Sequence, residues 1–288
     1  MPVTLTLLGS KGGPAIRTGG PSPTAMLLDV DGRLYVIDCG LGVTRGFVDT
    51  GHALKSLSTI LITHHHSDHN LEFGNLIHTA WTSGLDNPVR AHGPKGLAAM
   101  WQTFCQLNAF DIATRIADEG RPPLQPMVSV TDYADGLVLD DGIVSVTALR
   151  NQHPPVTDSF ALRFVIRQEE QQKIIVFSGD TAFLPAMIPF ARDADILVHE
   201  AMYLPGVDRL VARTGNGQRL KEHLMASHTL AEDVGRIARD ADVKHLVLNH
   251  LVPADDPEVT SAHWQAAVRM TYEGKLSVGT DGLKLMLA

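Results

Sequence analysis

The chain has 288 residues, of which 44% are hydrophobic and 19% are charged. This composition is typical of a globular protein and excludes disordered, collagen-like and disulfide-stapled classes, since only two cysteines occur, Cys39 and Cys105. The formal net charge of −8 argues against an extended nucleic-acid footprint, which needs a basic surface. Histidine stands out with 14 copies, because imidazole often binds metals and carries protons.

The start of the chain predicts neither a secretion signal nor a membrane anchor. Residues 1–8 lack a basic segment, and Gly9 follows them before a signal-type apolar run could form. Elsewhere, no apolar run approaches the roughly 20 residues that span a bilayer. We therefore expect a cytoplasmic protein with no membrane partner.

The first part of the chain predicts antiparallel sheet. Residues 3–9 alternate in hydrophobicity, and residues 24–30 and 33–38 flank an Asp-Gly pair, the strongest short-range signal for a hairpin. Residues 10–23 are rich in glycine and proline and predict a long loop, which in compact domains is usually functional or mobile. We expect this loop to overhang a site.

From residue 58 onward, short apolar strands alternate with helical patterns. The predicted strands span residues 58–63, 89–92, 127–130, 143–149, 160–166, 173–178, 196–199 and 243–248, with two more at the C-terminus. The predicted helices span residues 70–82, 94–107, 231–239 and 263–272, and a further helix starts at Ala182. Thr229 and Glu232 have the spacing of a capping box before helix 231–239.

The order of these elements predicts a layered α/β architecture. Runs of strands with helices between them favour two sheets that pack face to face and are covered outside by helices. Because the rhythm repeats without a linker, we expect a single domain over residues 1–288, made of two similar halves at about residues 1–150 and 151–288.

The densest group of ligand-type residues follows strand 58–63. The run His64-His65-His66-Ser67-Asp68-His69 places imidazoles and a carboxylate within one turn of chain. Zinc binds histidine nitrogen and aspartate oxygen, and residues two apart in a tight loop can face one ion while their neighbours face a second. We therefore favour a metal site over a solvated polyhistidine loop.

The H-x-H-x-D-H pattern resembles the metallo-β-lactamase superfamily, whose fold is an αββα sandwich of two mixed β-sheets flanked by helices. His153, Asp180 and His250 follow in the order of that family. The resemblance implies two metal ions, and His66, where redox di-iron relatives carry a carboxylate, favours two Zn²⁺, with Mn²⁺ or iron as alternatives. In the implied layout one ion is held by His64, His66 and His153, the other by Asp68, His69 and His250, and Asp180 bridges them.

Four further segments resemble the ribonuclease Z branch of that superfamily. These segments are Leu7-Leu8-Gly9, Ile37-Asp38-Cys39-Gly40, His199-Glu200-Ala201 and Ser227-His228-Thr229. In that branch a glutamate and a later histidine resemble a proton-relay pair, and the resemblance assigns this role to Glu200 and His228. The implied nucleophile is a bridging hydroxide, which Asp68 would hold and orient while also binding metal.

One departure from the ribonuclease Z pattern bears on the substrate. Those enzymes usually carry a long arm that grips transfer RNA, commonly between the positions of His153 and Asp180, and this interval is too short here to hold one. Extra length lies instead in residues 201–227, whose glycines and basic side chains suggest a lid, with a solvated loop as the alternative. We therefore predict a small-molecule substrate and no nucleic-acid partner.

The resulting prediction is a metal-dependent hydrolase of a small ester-type bond, namely a phosphodiester, a sulfate ester, a carboxylic or aryl ester, or a lactone. One alternative is a ribonuclease Z-type phosphodiesterase or endoribonuclease. Another is a non-catalytic metal-binding sensor, which the complete ligand set argues against. The oligomeric state stays open, a homodimer included. The histidines without a predicted role are His65, His78, His92, His223 and His263.

Overall fold

The computed structural model describes residues 1–169, 171–215 and 217–287. Within these residues the strands are β1 (Val3–Gly9), β2 (Ala25–Val30), β3 (Arg33–Ile37), β4 (Thr59–Leu61), β5 (Val89–Gly93), β6 (Val128–Asp132), β7 (Gly136–Asp140), β8 (Val144–Arg150), β9 (Phe160–Arg167), β10 (Gln172–Phe177), β11 (Ile196–Met202), β12 (His245–Val252), β13 (Lys275–Val278) and β14 (Lys284–Leu287).

The helices lie between these strands in chain order. They are α1 (Val43–Asp49), α2 (Ser67–Asn70), α3 (Phe73–Thr82), α4 (Leu97–Leu107), α5 (Ala109–Glu119), α6 (Met187–Phe190), α7 (Leu204–Thr214), α8 (Gly217–Ser227), α9 (Ala231–Asp240) and α10 (Ser261–Arg269). Two single 3₁₀ turns span Leu54–Ser56 and Gln125–Met127. In the described part of the chain, no helix has both the length and the apolar character needed to cross a membrane.

The strands form two seven-stranded sheets. The first sheet has the order β14-β1-β2-β3-β4-β5-β6, and the second has the order β13-β12-β11-β10-β9-β8-β7. Each sheet mixes parallel and antiparallel neighbours: β3 and β4 are parallel whereas β1 and β2 are antiparallel, and β11 and β12 are parallel whereas β9 and β10 are antiparallel. The pairing confirms the predicted mixed sheets.

Three apolar clusters show how the layers pack. Leu5, Leu28 and Phe164 belong to a cluster formed by the inner faces of both sheets. On the outer face of the first sheet, Trp81 of α3 is fully buried in a second cluster. On the outer face of the second sheet, Trp264 of α10 packs into a third cluster together with residues of α9. These layers make the predicted αββα sandwich, which is thereby confirmed.

The structure departs from the predicted elements in several places. The helix expected from Ala182 is the single turn α6, and β7 and α5 were not predicted. Residues 201–227 contain the helices α7 and α8, so the interpretation of this segment as a solvated loop is wrong. The two similar halves stay a prediction: β7 and β8 precede residue 150 but pair in the second sheet, and β14 joins the first.

The predicted capping box before α9 is also wrong. Helix α9 begins at Ala231 after Leu230, and that helix start has no side-chain capping bond. The Thr229 hydroxyl donates instead to the backbone carbonyl of Thr181, with an O···O distance of 2.7 Å. The buried carbonyl needs a donor, and this need outweighs the local capping pattern.

Candidate metal centre

The predicted ligand residues lie where strands end along one edge of the sandwich. His64 and His66 follow β4, and Asp68 and His69 lie in α2, which begins at Ser67. Of the remaining predicted ligands, His153 follows β8 and Asp180 follows β10. His250 lies within β12. One strand of the first sheet and three strands of the second therefore bring their residues to the same edge, and all seven side chains meet there.

A first cluster joins His64, His66, His153 and Asp180, whose ligand-type atoms all lie within 4.8 Å of one another. His66 Nδ1 is 3.1 Å from His64 Nε2 and 3.0 Å from His153 Nε2. Asp180 Oδ2 is 3.8 Å from both Nε2 atoms. Tetrahedral zinc with bonds of about 2.0–2.1 Å places its ligand atoms about 3.3 Å apart. The cluster therefore has the spacing of one metal-ligand shell.

A second cluster joins Asp68, His69, His250 and the same Asp180. His250 Nε2 lies 3.3 Å from Asp68 Oδ2 and 3.1 Å from Asp180 Oδ2. His69 Nε2 and Asp180 Oδ1 are 3.4 Å apart, and within the described residues both are buried without a hydrogen-bond partner. Buried polar atoms of native proteins are nearly always satisfied. Two such atoms facing each other fit a bound cation.

The charges around His69 also favour a bound cation. Burial disfavours a charge on its ring, yet the carboxylates of Asp180, Asp38 and Asp68 hold its pKa well above the ordinary value. A raised pKa here means that the surrounding carboxylates favour a positive charge at this point. A metal ion would supply that charge and let the neutral ring bind through Nε2.

The other ligand-type residues already have the protonation states that metals require. Burial lowers the pKa of His64 well below its ordinary value and lowers that of His153 to about 4, so both imidazoles are neutral at pH 7. Burial alone would raise the pKa of Asp68 and of Asp180, but neighbouring imidazoles outweigh it and keep both pKa values below the usual range. Neutral imidazoles and ionised carboxylates are the ligand forms.

Asp38 orients His69, a role that sequence reasoning did not assign. The Nδ1–H of His69 donates to Asp38 Oδ2 at 2.8 Å, and the backbone N–H of Thr63 donates to Asp38 Oδ1 at 2.7 Å. Such a carboxylate fixes the tautomer and the ring direction of a metal-binding histidine. A signal was available, because Asp38 directly follows β3 at the sheet edge where the parallel β4 leads into the histidine run.

His250 faces the cluster because of a β-bulge. In the pairing of β11 with β12, Glu200 lies opposite Asn249 and Ala201 lies opposite Leu251, so His250 is an extra residue. Its φ of 42° is in the left-handed region, which non-glycine residues rarely adopt. A bulge re-aims a side chain, and strained backbone of this kind is concentrated at functional sites.

The long loop of residues 10–23 overhangs this site, as predicted. The backbone N–H of Gly13 donates to Asp68 Oδ2 at 2.8 Å. A Cβ on Gly12 would lie 2.8 Å from the His250 ring and 2.6 Å from Val252, so a larger residue does not fit there. The loop is thus built into the second cluster and helps to hold Asp68.

The predicted relay residues, Glu200 and His228, lie together beside the second cluster. His228 Nδ1 is 3.0 and 3.1 Å from the two carboxylate oxygens of Glu200, and the backbone N–H of Thr181 donates to Glu200 Oε1 at 2.8 Å. Burial opposes a charge on His228, but the Glu200 carboxylate outweighs it and raises the pKa of His228 to about 9. The His228 ring stacks on that of His250, with centroids 5.5 Å apart.

A cavity of about 300 Å³ opens onto both clusters. Its walls come from loop 10–23, from the ligand residues and from the helices α7 and α8. The lining includes Lys11, Gly12, Pro14, Arg17, His66, Asp68, Asp180, Leu210, Leu220, His223, Leu224, His228 and His250. The segment predicted as a lid therefore contributes an apolar wall to the space beside the metal ligands.

The structure also places the histidines that had no predicted role. His65 Nε2 lies 3.2 Å from the Pro94 carbonyl, His78 Nε2 lies 3.0 Å from an Asp111 oxygen, and His263 Nδ1 accepts the Thr260 N–H. His92 is buried, and neither ring nitrogen has a hydrogen-bond partner among the described residues. Of this group, His223 lines the cavity.

Comparison with known proteins agrees with the predicted resemblance. The chain is 29% identical over 286 residues to "Ribonuclease Z" of Mycobacterium bovis (strain BCG / Pasteur 1173P2), covering 96% of this chain and 95% of that protein. It is also 29% identical over 283 residues to "Ribonuclease Z" of Mycolicibacterium gilvum, with 97% and 94% covered. The predicted likeness to ribonuclease Z is therefore confirmed.

Solved structures agree on the fold. The metallo-β-lactamase fold protein YhfI from Bacillus subtilis superposes with a TM-score of 0.73 at 19% identity, covering 100% of both chains. The short form of human tRNase Z gives a TM-score of 0.70 at 19% identity and covers 98% of both. Together with the His/Asp clusters, these relatives confirm the predicted enzyme class, a metal-dependent hydrolase.

A family match completes the comparison. The family described as "Anti-Pycsar protein Apyc1" matches residues 3–208, a span that runs from the first strand through the histidine run, His153, Asp180 and Glu200. This span is well over half of the chain. The chain therefore belongs to the Anti-Pycsar protein Apyc1 family, and its fold is that of the metallo-β-lactamases.

Proposed function

We propose that the protein is a two-metal phosphodiesterase that acts on a nucleotide-sized substrate. The observation that carries this proposal is the pair of ligand clusters that share Asp180, with Glu200 and His228 beside them. Two adjacent ions suit an in-line displacement at phosphorus, because they stabilise both the attacking and the leaving oxygen.

Each ion has its own ligands in this proposal. One ion would be held by His64, His66 and His153, and the other by Asp68, His69 and His250. Asp180 would bind both ions. When bound, the ions would supply Lewis acidity and lower the pKa of a coordinated water to near neutrality. Mixed histidine and aspartate ligation makes zinc the first choice, although manganese or iron accepts the same set.

The chain's own residues orient the reaction. Asp68, held by the Gly13 N–H, accepts a hydrogen bond from the attacking water and directs it at phosphorus. His228 donates a proton to the departing oxygen, and Glu200 holds its ring and balances its charge. Both side chains of this pair are buried, which limits bulk water as a competing proton source.

The surroundings of the cavity favour a small substrate. A volume of about 300 Å³ is at the lower end of small-molecule pockets. The basic side chains of α7 and α8 are partly engaged in ion pairs, Arg209 with Asp256, Arg213 with Asp255 and Lys221 with Asp208. Cations neutralised in this way contribute little to binding a phosphate backbone.

A ribonuclease Z-type endoribonuclease is the second candidate, and the relatives favour it. The alignment of 286 residues takes in 95% of the Mycobacterium bovis protein, so that protein is of similar length. The missing arm therefore does not separate this chain from proteins named ribonuclease Z.

The two candidates differ in the substrate that they cleave. Protein loaded with zinc or manganese is assayed on bis(p-nitrophenyl) phosphate, a cyclic mononucleotide, aryl sulfate and carboxylic esters, a lactone, and a precursor transfer RNA with a 3′ trailer. RNA is tested at low salt, where electrostatic binding is strongest. We expect turnover of the small phosphodiesters. Clean removal of the trailer without turnover of the cyclic nucleotide would establish the second candidate, and preference for a sulfate or carboxylic ester would overturn both.

A further inference from the structure

Nδ1 of the His223 ring has a hydrogen-bond partner in the fold, whereas Nε2 has none among the described residues. Its Nδ1 lies 3.3 Å from Ser227 Oγ, and that hydroxyl donates its only proton to the Pro154 carbonyl at 2.7 Å. Ser227 Oγ can therefore only accept from His223, so Nδ1 carries the hydrogen. In the neutral ring, Nε2 is then a hydrogen-bond acceptor.

The position of this ring relates it to the reacting centre. His223 is half-buried on α8 and lines the cavity. Its ring centroid is 6.4 Å from that of His66 and 6.1 Å from those of His153 and His228. It therefore lies just outside the first ligand cluster and the relay, on the wall of the cavity that opens onto them.

We propose that His223 is a specificity-determining residue whose Nε2 accepts a hydrogen bond from a hydroxyl adjacent to the scissile bond, such as a ribose 2′-hydroxyl. The proposal rests on the proposed function and narrows its substrate class to ribonucleotides. A 2′-hydroxyl is a donor, and it distinguishes ribose from deoxyribose. A deoxyribose substrate would leave the acceptor without this partner, which costs affinity.

Two substitutions distinguish the roles of the two ring nitrogens. His223→Asn keeps a donor near the position of Nδ1 and removes the distal acceptor, whereas His223→Gln places a carbonyl oxygen near the position of Nε2. The probes are adenosine 3′,5′-cyclic phosphate, its 2′-deoxy counterpart and bis(p-nitrophenyl) phosphate, which carries no hydroxyl. Steady-state kinetics are measured at equal metal content, with thermal unfolding as a check on the fold.

For the ribose substrate, we expect His223→Asn to lower kcat/KM by about 10-fold, mainly through KM, since one hydrogen bond is lost. The other two substrates should change by less than about 2-fold, and His223→Gln should recover part of the loss. Equal losses on all three substrates would overturn the inference and leave the proposed function standing. Failure of the wild-type protein to hydrolyse any of them would overturn the proposed function, and the inference with it.

Discussion

The two parts of the candidate metal centre are built in different ways. His64, His66, Asp68 and His69 come from six consecutive residues that run from the end of β4 into α2. The partners of this local group are His153 and Asp180, which follow two strands of the second sheet, and His250, which lies within a third. The geometry of the local group depends on one loop, whereas that of the dispersed group depends on sheet register. Among the described residues, only Asp180 belongs to both clusters, so it joins the two parts.

Asp180→Asn should have the largest effect on activity, because it replaces the carboxylate that both clusters share. In the proposed two-metal site, replacing the shared carboxylate would weaken both ligand shells and remove a negative charge between the two cations, so we expect kcat/KM to fall by about 10³-fold or more. Metal analysis should show loss at both positions. His66→Ala serves as the comparison, because it touches one shell and should retain about one ion per chain. An Asp180→Asn protein with two bound ions and near-wild-type activity would contradict the shared role.

The relay pair of Glu200 and His228 lies beside the dispersed group, and its importance should depend on the leaving group. We expect His228→Ala to lower kcat by about 10²-fold for alkyl leaving groups and far less for nitrophenolate, which departs without a proton. Glu200→Gln should act in the same way, and the double mutant should add little because the pair works as one unit. Equal losses for both leaving groups at unchanged metal content would mean that His228 positions substrate or supports the fold.

Asp38→Asn tests the support of the local group. The asparagine can keep the contact with Thr63, but it provides a weaker acceptor for His69 Nδ1–H and no charge. We expect metal affinity to fall by about 10- to 100-fold, measured by competition with a chelator, while the overall fold is kept. Glu72→Gln is a matched control, since Glu72 binds Gly42 and Thr44 in the same half of the molecule. An equal drop in both variants would argue against a specific role for Asp38.

The smallest expected effect concerns the start of α9. Thr229→Val removes the donor to the buried Thr181 carbonyl and should lower the free energy of unfolding by about 1–2 kcal/mol. Glu232→Gln should change it by less than about 0.5 kcal/mol, because the capping bond is not formed. Urea unfolding of both variants in the same metal state measures the difference. Comparable losses in the two variants would instead support a capping bond between Thr229 and Glu232.

The local group was predictable because its chemistry is contiguous. A run of imidazoles and a carboxylate directly after a short apolar strand specifies ligand type, approximate place and the edge of the sheet. His153, Asp180 and His250 were found through their order in a family resemblance, since a lone histidine near a strand end does not distinguish a ligand from a core residue. The helices α7 and α8 were missed because a glycine-rich, polar segment does not reveal which side packs over a cavity.

The sequence by itself determined the alternation of strands and helices, the residue types of the ligand set and the loop that overhangs it. Only the tertiary structure decided which atoms meet. The left-handed backbone of His250 follows from a bulge between two parallel strands, and the bonds of Asp38 to His69 and of Ser227 to His223 join side chains through the fold. Periodicity records which face of an element is apolar, but register, bulges and the direction of a hydrogen bond depend on the neighbouring element.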